Sequence, residues 1–251
     1  MMSKTQRMMS RRVFAAVSWA AFVVTMVVFS QRAGADVRKF AWTYEAKLIP
    51  AGWTELEFYQ AVTVPDNTMP GINTWRYQLE LEQGLTEWVD VSLYQLFSQA
   101  NTQTGGSLVY DGFKLRLRFL TGSRDWWITP VLYTEVRVPG KFSNPSELEG
   151  KVLLSKTAGG WTFAYNQIIK QETRREAGAR HSYAAGIAYS FSRVFGVGLE
   201  SRGEFTSGTA AVGPVAHLLT KRFFVTAGLL SAVNEKTPDV QVQTIFGFLL
   251  E

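Results

Sequence analysis

The feature that most constrains this chain is an alternation of apolar and polar residues with a period of two, which recurs through almost the whole sequence after residue 35. From Leu108 to Phe119, for example, mostly apolar residues share one face with Asp111, while Lys114, Arg116 and Arg118 take the other face. A period of two is typical of a strand with two different faces. No later segment has a convincing helical period, so the sequence predicts an all-β fold.

Thirteen segments of this kind follow one another, whereas bacterial outer-membrane barrels usually have an even number of strands. We therefore expect an antiparallel transmembrane β-barrel of twelve strands, from about Thr54 to Leu250. The remaining segment, Phe40 to Leu48, is expected to enter the lumen or pair at the rim. A miscounted hairpin between Gly196 and Ser231 would restore parity equally well. The candidates begin near Phe40, Thr54, Trp75, Glu87, Leu108, Trp126, Leu148, Trp161, His181, Gly196, Ala210, Arg222 and Asp239.

The connections alternate in length, which favours a membrane barrel over a soluble β-sandwich. Bacterial outer-membrane barrels have short periplasmic turns and longer external loops. Short turns are expected around Pro50-Ala51-Gly52, Gln83-Gly84, Thr121-Gly122-Ser123, Ala158-Gly159-Gly160, Ser192-Arg193 and Thr220-Lys221. Longer polar loops are expected at Pro65 to Asn73, Ser98 to Ser107, Pro139 to Glu147 and Glu172 to Arg180.

Aromatic residues recur where the chain leaves a short turn, and they predict a girdle at one rim of the barrel. Amphipathic rings favour the headgroup level of a membrane, so one ring beside each turn would form a belt at the periplasmic side. The alternative is that the rings plug the end of a soluble barrel. These residues are Trp53, Trp88, Trp126, Trp127, Trp161, Phe195, Phe223 and Phe224.

Residues 1–35 are typical of a cleavable signal peptide, which would leave residues 36–251 as the mature barrel. An apolar run from Val13 to Phe29 precedes the small residues Ala33-Gly34-Ala35. An uncleaved membrane anchor is one alternative. A twin-arginine export signal on a soluble periplasmic protein is another. The basic residues ahead of the apolar run are Lys4, Arg7, Arg11 and Arg12.

The charge balance gives no support for nucleic-acid binding. Five of the 26 basic residues lie in the leader and none of the 21 acidic ones does, so the mature charge is 21 minus 21, or zero. A nucleic-acid interface would need a basic patch on the mature domain. The chain has no cysteine, which excludes disulfides and thiolate metal sites.

Charged residues on the inner face are where function is expected, because a charge inside a barrel needs water or a partner. The sharpest cluster is the ladder of Lys114, Arg116 and Arg118, which would either form an anion-attracting strip or pair with neighbours such as Asp90 and Glu135. The lumen-lining candidates are Arg76, Glu80, Asp90, Lys114, Arg116, Arg118, Glu135, Arg137, Lys151, Glu200 and Arg202, with Glu55, Glu57, Glu82 and Glu204 on the same face.

Catalysis is not expected, since only His181 and His217 are available as histidine bases. His181 and Ser182 are adjacent in a strand and point to opposite faces. We interpret both histidines as solvated surface residues, and we expect no cofactor and no metal, because the scattered carboxylates have no ligand spacing.

The basic residues near one external loop are expected to be a solvated run or to contact phosphates of lipopolysaccharide. They are Lys170, Arg174, Arg175 and Arg180. The other expected partners are outer-membrane lipid and the barrel-assembly machinery. Val240 to Leu250 resembles the terminal assembly signal of outer-membrane proteins, although the chain ends on Glu251 instead of an aromatic residue.

Four patterns resemble the small outer-membrane proteins of the MetA-pathway (phenol-degradation-type) transporter family. They are Trp42-Thr43-Tyr44-Glu45-Ala46, Pro50-Ala51-Gly52 before Glu55-Leu56-Glu57, Asp111-Gly112-Phe113-Lys114-Leu115-Arg116, and Glu147-Leu148-Glu149-Gly150-Lys151. This resemblance implies passage of small compounds through the outer membrane of a Gram-negative bacterium. The sequence thus predicts a passive channel or transporter for small solutes, with a closed structural or interaction barrel as the alternative.

Overall fold

A computed structural model of the chain describes residues 38–122, 126–174, 176 and 178–250, so the predicted leader and its cleavage site lie outside the described residues. Within the described part there are twelve strands, and no helix there is long and apolar enough to cross a membrane. The strands are β1 (Thr54–Val64), β2 (Asn73–Thr86), β3 (Val89–Asn101), β4 (Val109–Leu120), β5 (Val131–Val138), β6 (Glu147–Ala158), β7 (Trp161–Glu172), β8 (Arg180–Ser190), β9 (Phe195–Glu204), β10 (Thr209–Leu219), β11 (Phe223–Ala232) and β12 (Val240–Leu250).

The strands form one closed antiparallel barrel, as the sequence predicted. Each strand pairs with its neighbours in the chain, and β1 closes the ring against β12, with Thr54 opposite Leu250 and Val64 opposite Val240. Closure leaves no strand edge with unpaired backbone groups. The expected extra segment, Phe40 to Leu48, is not a strand and lies inside the lumen.

The alternation of side chains produces the two surfaces of the barrel wall. On β2, Leu79 and Leu81 are 45% and 50% exposed, whereas the intervening Glu80 and Glu82 are 0% and 3% exposed. Because successive side chains of a strand point to opposite faces, leucines cover the outside and carboxylates point inward. The barrel is therefore inverted relative to a soluble protein, with an apolar exterior and a charged interior.

The two ends of the barrel differ in their connections. At one end, which we call the turn end, the connections are residues 87–88, 121–130, 159–160, 191–194 and 220–222. At the other, the loop end, they are residues 65–72, 102–108, 139–146, 173–179, 205–208 and 233–239. The predicted alternation in length thus has two exceptions: a long connection, residues 121–130, at the turn end and a short one, residues 205–208, at the loop end.

Two boundaries differ from the sequence prediction. The turn expected at Gln83-Gly84 lies instead at residues 87–88, because β2 continues through Gly84. The absence of a side chain at Gly84 leaves room for the backbone of Pro50, which lies beside it. The strand expected from Trp126 begins only at Val131. The carbonyl of Pro130 accepts hydrogen bonds from the backbone and hydroxyl of Thr121. The two ends of this connection are therefore held together, and the connection is not a tight hairpin turn.

A β-bulge in β4 corrects the predicted face of Asp111. The register with β3 shifts between Leu96 and Phe97, and Gly112 adopts a φ of 110°. A bulge adds one residue and reverses the alternation beyond it, so Asp111 turns inward and pairs with Arg137 at 3.0 Å.

Most of the predicted girdle lies at the turn end. Trp88, Trp126, Trp127, Trp161 and Phe195 are exposed there, and Trp53 and Phe223 are partly buried. Phe224 does not belong to the girdle. It is the inward neighbour of Phe223 on β11, and its ring is buried against Gly247.

Candidate functional site

The lumen is occupied by residues 38–50, which we call the arch. The arch lies against the barrel wall at mid-height through residues 41–44 and has both ends in the turn-end half. Its first described carbonyl, that of Arg38, accepts a hydrogen bond from Thr226, near the start of β11. At its other end, the amide of Ile49 donates to Asp90, near the start of β3. The arch therefore rises into the lumen and returns to the rim where β1 begins.

Glu200 on β9 holds the top of the arch. Its carboxylate accepts backbone hydrogen bonds from Ala41 at 2.7 Å, from Trp42 at 3.0 Å and from Thr43 at 2.8 Å. Hydrogen bonds to an ionised acceptor are stronger than neutral ones. One buried side chain thus satisfies three consecutive amides that no strand of the barrel pairs with.

Further polar side chains of the wall hold the rest of the arch. Asn166 exchanges two hydrogen bonds with the backbone of Tyr44, at 2.7 and 2.8 Å. Ser155 accepts from the amide of Ala46 at 2.8 Å, and Gln243 donates to the carbonyl of Ala41. Together with Glu200, these side chains come from four different strands, so the arch makes its full set of contacts only when all four strands are in place.

Charged side chains of the arch contact two different parts of the wall, β1 and β7. Arg38 donates to the hydroxyl of Tyr59 at 2.6 Å, and Lys39 donates to Thr162 at 2.7 Å. Burial lowers the pKa of the Lys39 ammonium, and the Glu45 carboxylate partly opposes this shift. The arch is therefore fixed by charged side chains as well as by its backbone.

Small residues lie in the wall behind Phe40, Ala41 and Trp42 of the arch. A side chain at Gly186 would place its Cβ 2.5 Å from the ring of Phe40, and one at Gly228 would be 2.5 Å from the indole of Trp42. Phe40 and Ala41 are buried together with Ala164, Ala188 and Val215. On this side of the barrel the arch, and not the wall, fills the lumen.

The opposite wall fills its own half of the lumen with ion pairs. Arg116 lies 2.9 Å from Glu80 and 2.5 Å from Glu82, and it also donates to Ser92 and Tyr94. Because this guanidinium is 1% exposed, its charge is compensated by protein groups and not by water.

Arg118 extends the same network toward the turn end. It contacts Asp90 through two nitrogens, at 2.9 and 2.7 Å, and it also reaches Glu82. Lys114, at the other end of the ladder, pairs with Glu135 at 3.2 Å. The basic ladder is therefore a salt-bridge network in the described lumen, and only Lys114 also borders open space.

Above the arch lies a cavity of about 720 Å³ in the loop-end half, which we call the vestibule. Trp42 lines it from the top of the arch, and every other described lining residue belongs to the loop-end half of the barrel or to the loop at 237–238. The vestibule thus ends on the arch.

The structure divides the sequence-predicted lumen residues into three groups. Glu200 holds the arch. A second group faces the vestibule and comprises Arg76, Lys114, Arg137, Lys151, Arg202 and Glu204. The third is buried around the ion-pair network and comprises Glu55, Glu57, Glu80, Glu82, Asp90, Arg116, Arg118 and Glu135.

Sequence reasoning missed the uncharged polar residues that hold the arch and the network. Asn166, Ser155, Tyr59 and Tyr94 all occupy inward positions of their strands. Strand parity places them on the inner face. A neutral polar residue on that face does not by itself indicate that it binds another segment of the chain.

The prediction that both histidines are solvated is wrong for His217. His181 is exposed, but His217 points inward on β10, is 1% exposed, and has its ring 3.5 Å from the Ser190 hydroxyl. Strand parity places His217 on the inner face, but the sequence alone does not show that neighbouring groups bury its ring. In the described part of the chain no three His, Asp or Glu side chains are grouped so that they could hold a metal ion.

The basic residues near the predicted lipopolysaccharide-binding loop do not all point outward. Lys170 and Arg180 line the vestibule, and both pair with Glu147. Arg174 pairs with Glu172 at 3.1 Å on the exposed loop, and Arg175 lies outside the described residues.

Comparison with known proteins supports the fold. No family model and no curated protein matches this chain. Among solved structures, the KdgM porin in complex with disordered oligogalacturonate has a TM-score of 0.54 at 8% identity, covering 78% of this chain and 98% of the porin.

Two further structures give the same result. An outer membrane channel from Pseudomonas putida F1 has a TM-score of 0.55 at 10% identity and covers 82% of this chain and 98% of its own. The NanC porin has a TM-score of 0.54 at 10% identity and covers 77% and 98%. At these identities the likeness concerns the fold alone. The chain therefore has the closed antiparallel barrel fold that is also found in porins and outer-membrane channels.

Proposed function

We propose that this chain is an outer-membrane channel for small solutes, held closed by the arch in this structure and opened when the arch is displaced. The observation that carries the proposal is that the vestibule ends on the arch, while the wall behind Phe40 to Trp42 includes the small residues Gly186, Gly228, Ala164 and Ala188. If the arch leaves, the space now occupied by Phe40 and Trp42 has no wall side chain at Gly186 or Gly228 to fill it.

The outer-membrane location rests on the outer face and on the predicted leader. Leucines, valines and aromatic rings are exposed around the barrel, and an exposed apolar surface of this extent marks contact with lipid or another partner. Exposed tryptophans at the turn end fit the headgroup level of a membrane. The turn end is then periplasmic, and the vestibule faces outward.

Displacement of the arch is physically feasible because its backbone is held by side chains and not by a strand ladder. Its amides at residues 41–43 bind Glu200, and its carbonyl at Tyr44 binds Asn166. Water can replace such partners, since the net stability of one hydrogen bond in water is about 0.5–1.5 kcal/mol.

A closed structural barrel is the second candidate, and the ion-pair network favours it. Arg116 and Arg118 are buried together with Glu80, Glu82 and Asp90, so half of the lumen is blocked by groups that are costly to separate. This candidate needs no movement of the arch. Membership of the MetA-pathway type of family, the absence of catalysis, and contacts with lipopolysaccharide or the assembly machinery remain proposals under either candidate.

Single-channel recording in planar bilayers tests the choice. The channel predicts discrete conductance steps from a folded sample, with long closures, because the arch blocks the resting state. A folded sample that never gives steps would favour the closed barrel. Arg116→Gln separates the two further, because altered ion selectivity supports a pore, whereas lost heat resistance without conductance in either protein supports a structural network.

A further inference from the structure

The vestibule carries an excess of positive charge. Seven basic and four acidic side chains line it, and 7 minus 4 gives a net charge of +3 on the described wall. A concave wall of one predominant sign concentrates ions of the opposite sign. The lining residues are Arg76, Lys114, Arg137, Lys151, Lys170, Arg180 and Arg202, with Asp111, Glu147, Glu149 and Glu204.

Five of the seven basic residues already have carboxylate partners. These pairs reduce their capacity to bind a solute, because each cation is compensated within the wall. The pairs are Lys114 with Glu135, Arg137 with Asp111, Lys151 with Glu149, Lys170 with Glu147 and Glu149, and Arg180 with Glu147.

Arg76 and Arg202 are different, because neither forms an ion pair or a side-chain hydrogen bond with another residue in the described part of the chain. Their inward neighbours explain why. Arg202 lies between Ala184 on β8 and Ala211 on β10, and Arg76 lies between Ala61 on β1 and Ser98 on β3, whose hydroxyl does not hydrogen-bond to it. The three alanines offer no side-chain acceptor, and both guanidinium groups border the open space of the vestibule.

The two arginines line the vestibule from strands on different sides of the barrel. Arg76 is on β2 and Arg202 on β9, five strands apart around the twelve-stranded ring, and each is within electrostatic range of the other. Glu149, Glu200 and Glu204 are also within range of Arg202. However, Glu149 is held by Lys151, and Glu200 by the amides of the arch.

We propose that Arg76 and Arg202 form a binding site for a small dianion that carries carboxylate or phosphate groups. Planar guanidinium groups bind both kinds of group through paired N–H donors, and an anion between two like charges relieves their repulsion. The inference rests on the proposed function, since it assigns the outer half of the solute path a preference for anions. Occupation of the site itself requires no movement of the arch.

Isothermal titration of the detergent-solubilised folded barrel tests the site directly. The probes are succinate, inorganic phosphate and neutral succinamide. We expect succinate or phosphate to bind and succinamide not to bind. Arg76→Gln and Arg202→Gln should each weaken anion binding about tenfold or more, because each removes a charge-assisted contact. Comparing the two anions distinguishes a carboxylate from a phosphate ligand.

Arg174→Gln is the matched control, because Arg174 lies on the exposed loop outside the vestibule. It should leave binding unchanged. The proposal is overturned if neither anion binds the folded barrel, or if all three variants weaken binding equally. Anion binding without conductance would support this site while contradicting the channel. Conductance without anion binding would support the channel and overturn the site.

Discussion

Removing the carboxylate of Glu200 should release the arch from the barrel wall. In Glu200→Ala, the amides of Ala41, Trp42 and Thr43 lose an acceptor that now lies 2.7–3.0 Å away. A buried donor left without a partner costs about 1–3 kcal/mol. Keeping the arch in place would then cost about 3–9 kcal/mol for three amides, with the low end appropriate because water can enter the vacated space.

The low end corresponds to roughly a hundredfold larger population of the displaced arch, at about 1.4 kcal/mol per factor of ten. Glu200→Gln should have a smaller effect, of about tenfold. One oxygen of Glu200 accepts from Trp42 and Thr43 and the other from Ala41, so the amide can keep two contacts while its NH2 group opposes the third.

Cysteine labelling measures this population cleanly, because the chain has no cysteine of its own. Thr43 is buried at 1% exposure, so Thr43→Cys should react slowly with a water-soluble maleimide unless the arch leaves. Adding Glu200→Ala should accelerate labelling about a hundredfold. Glu204→Ala, a change on the same strand at a vestibule position, is the control. Equal labelling rates in the two backgrounds would refute the role assigned to Glu200.

Three further substitutions probe the wall and the network. Gly186→Leu should also accelerate labelling of the Thr43→Cys variant, because its Cβ would meet the ring of Phe40 at 2.5 Å, whereas Gly71→Leu has open space around it and should not. Arg116→Gln should lower the free energy of unfolding by about 3–5 kcal/mol, because it leaves buried carboxylates unpaired. The fraction of protein that runs as the folded band on gels, measured against urea concentration, should show this loss in comparison with Arg174→Gln. Gly112→Val should destabilise the β4 bulge, since φ is 110° and the Cβ would overlap the Val138 carbonyl; a melting temperature equal to that of Gly71→Val would contradict this reasoning.

The barrel could be predicted from the sequence because alternation is a local signal that fixes the face of every strand residue. Glu80 and Glu82 point inward for this reason. Where alternation is interrupted, the prediction fails. Asp111 turns inward only because Gly112 permits a bulge. The connection between β4 and β5 is ten residues long, and its composition resembles that of a strand, so the sequence prediction began β5 at Trp126 instead of Val131.

The arrangement inside the lumen could be predicted only in part. Parity places Glu200 on the inner face, but its role depends on a segment far earlier in the chain, as the sequence separations of 157–159 residues show. The division into a network and a vestibule likewise depends on which strands face each other across the closed ring. Arg116 and Arg202 have the same charge and the same parity, yet Arg116 forms ion pairs with its neighbours, whereas the two residues directly beside Arg202 on the adjacent strands are alanines.

The most direct test of the central claim is the open probability of single channels formed by the unmodified chain, Glu200→Ala and Glu204→Ala in the same planar bilayers. The arch should hold the unmodified chain mostly closed, Glu200→Ala should remain open for most of the recording with an unchanged unit conductance, and Glu204→Ala should gate like the unmodified chain. Folded Glu200→Ala that opens no more often than Glu204→Ala, or that never conducts, would contradict the account of the arch as the closure of this barrel.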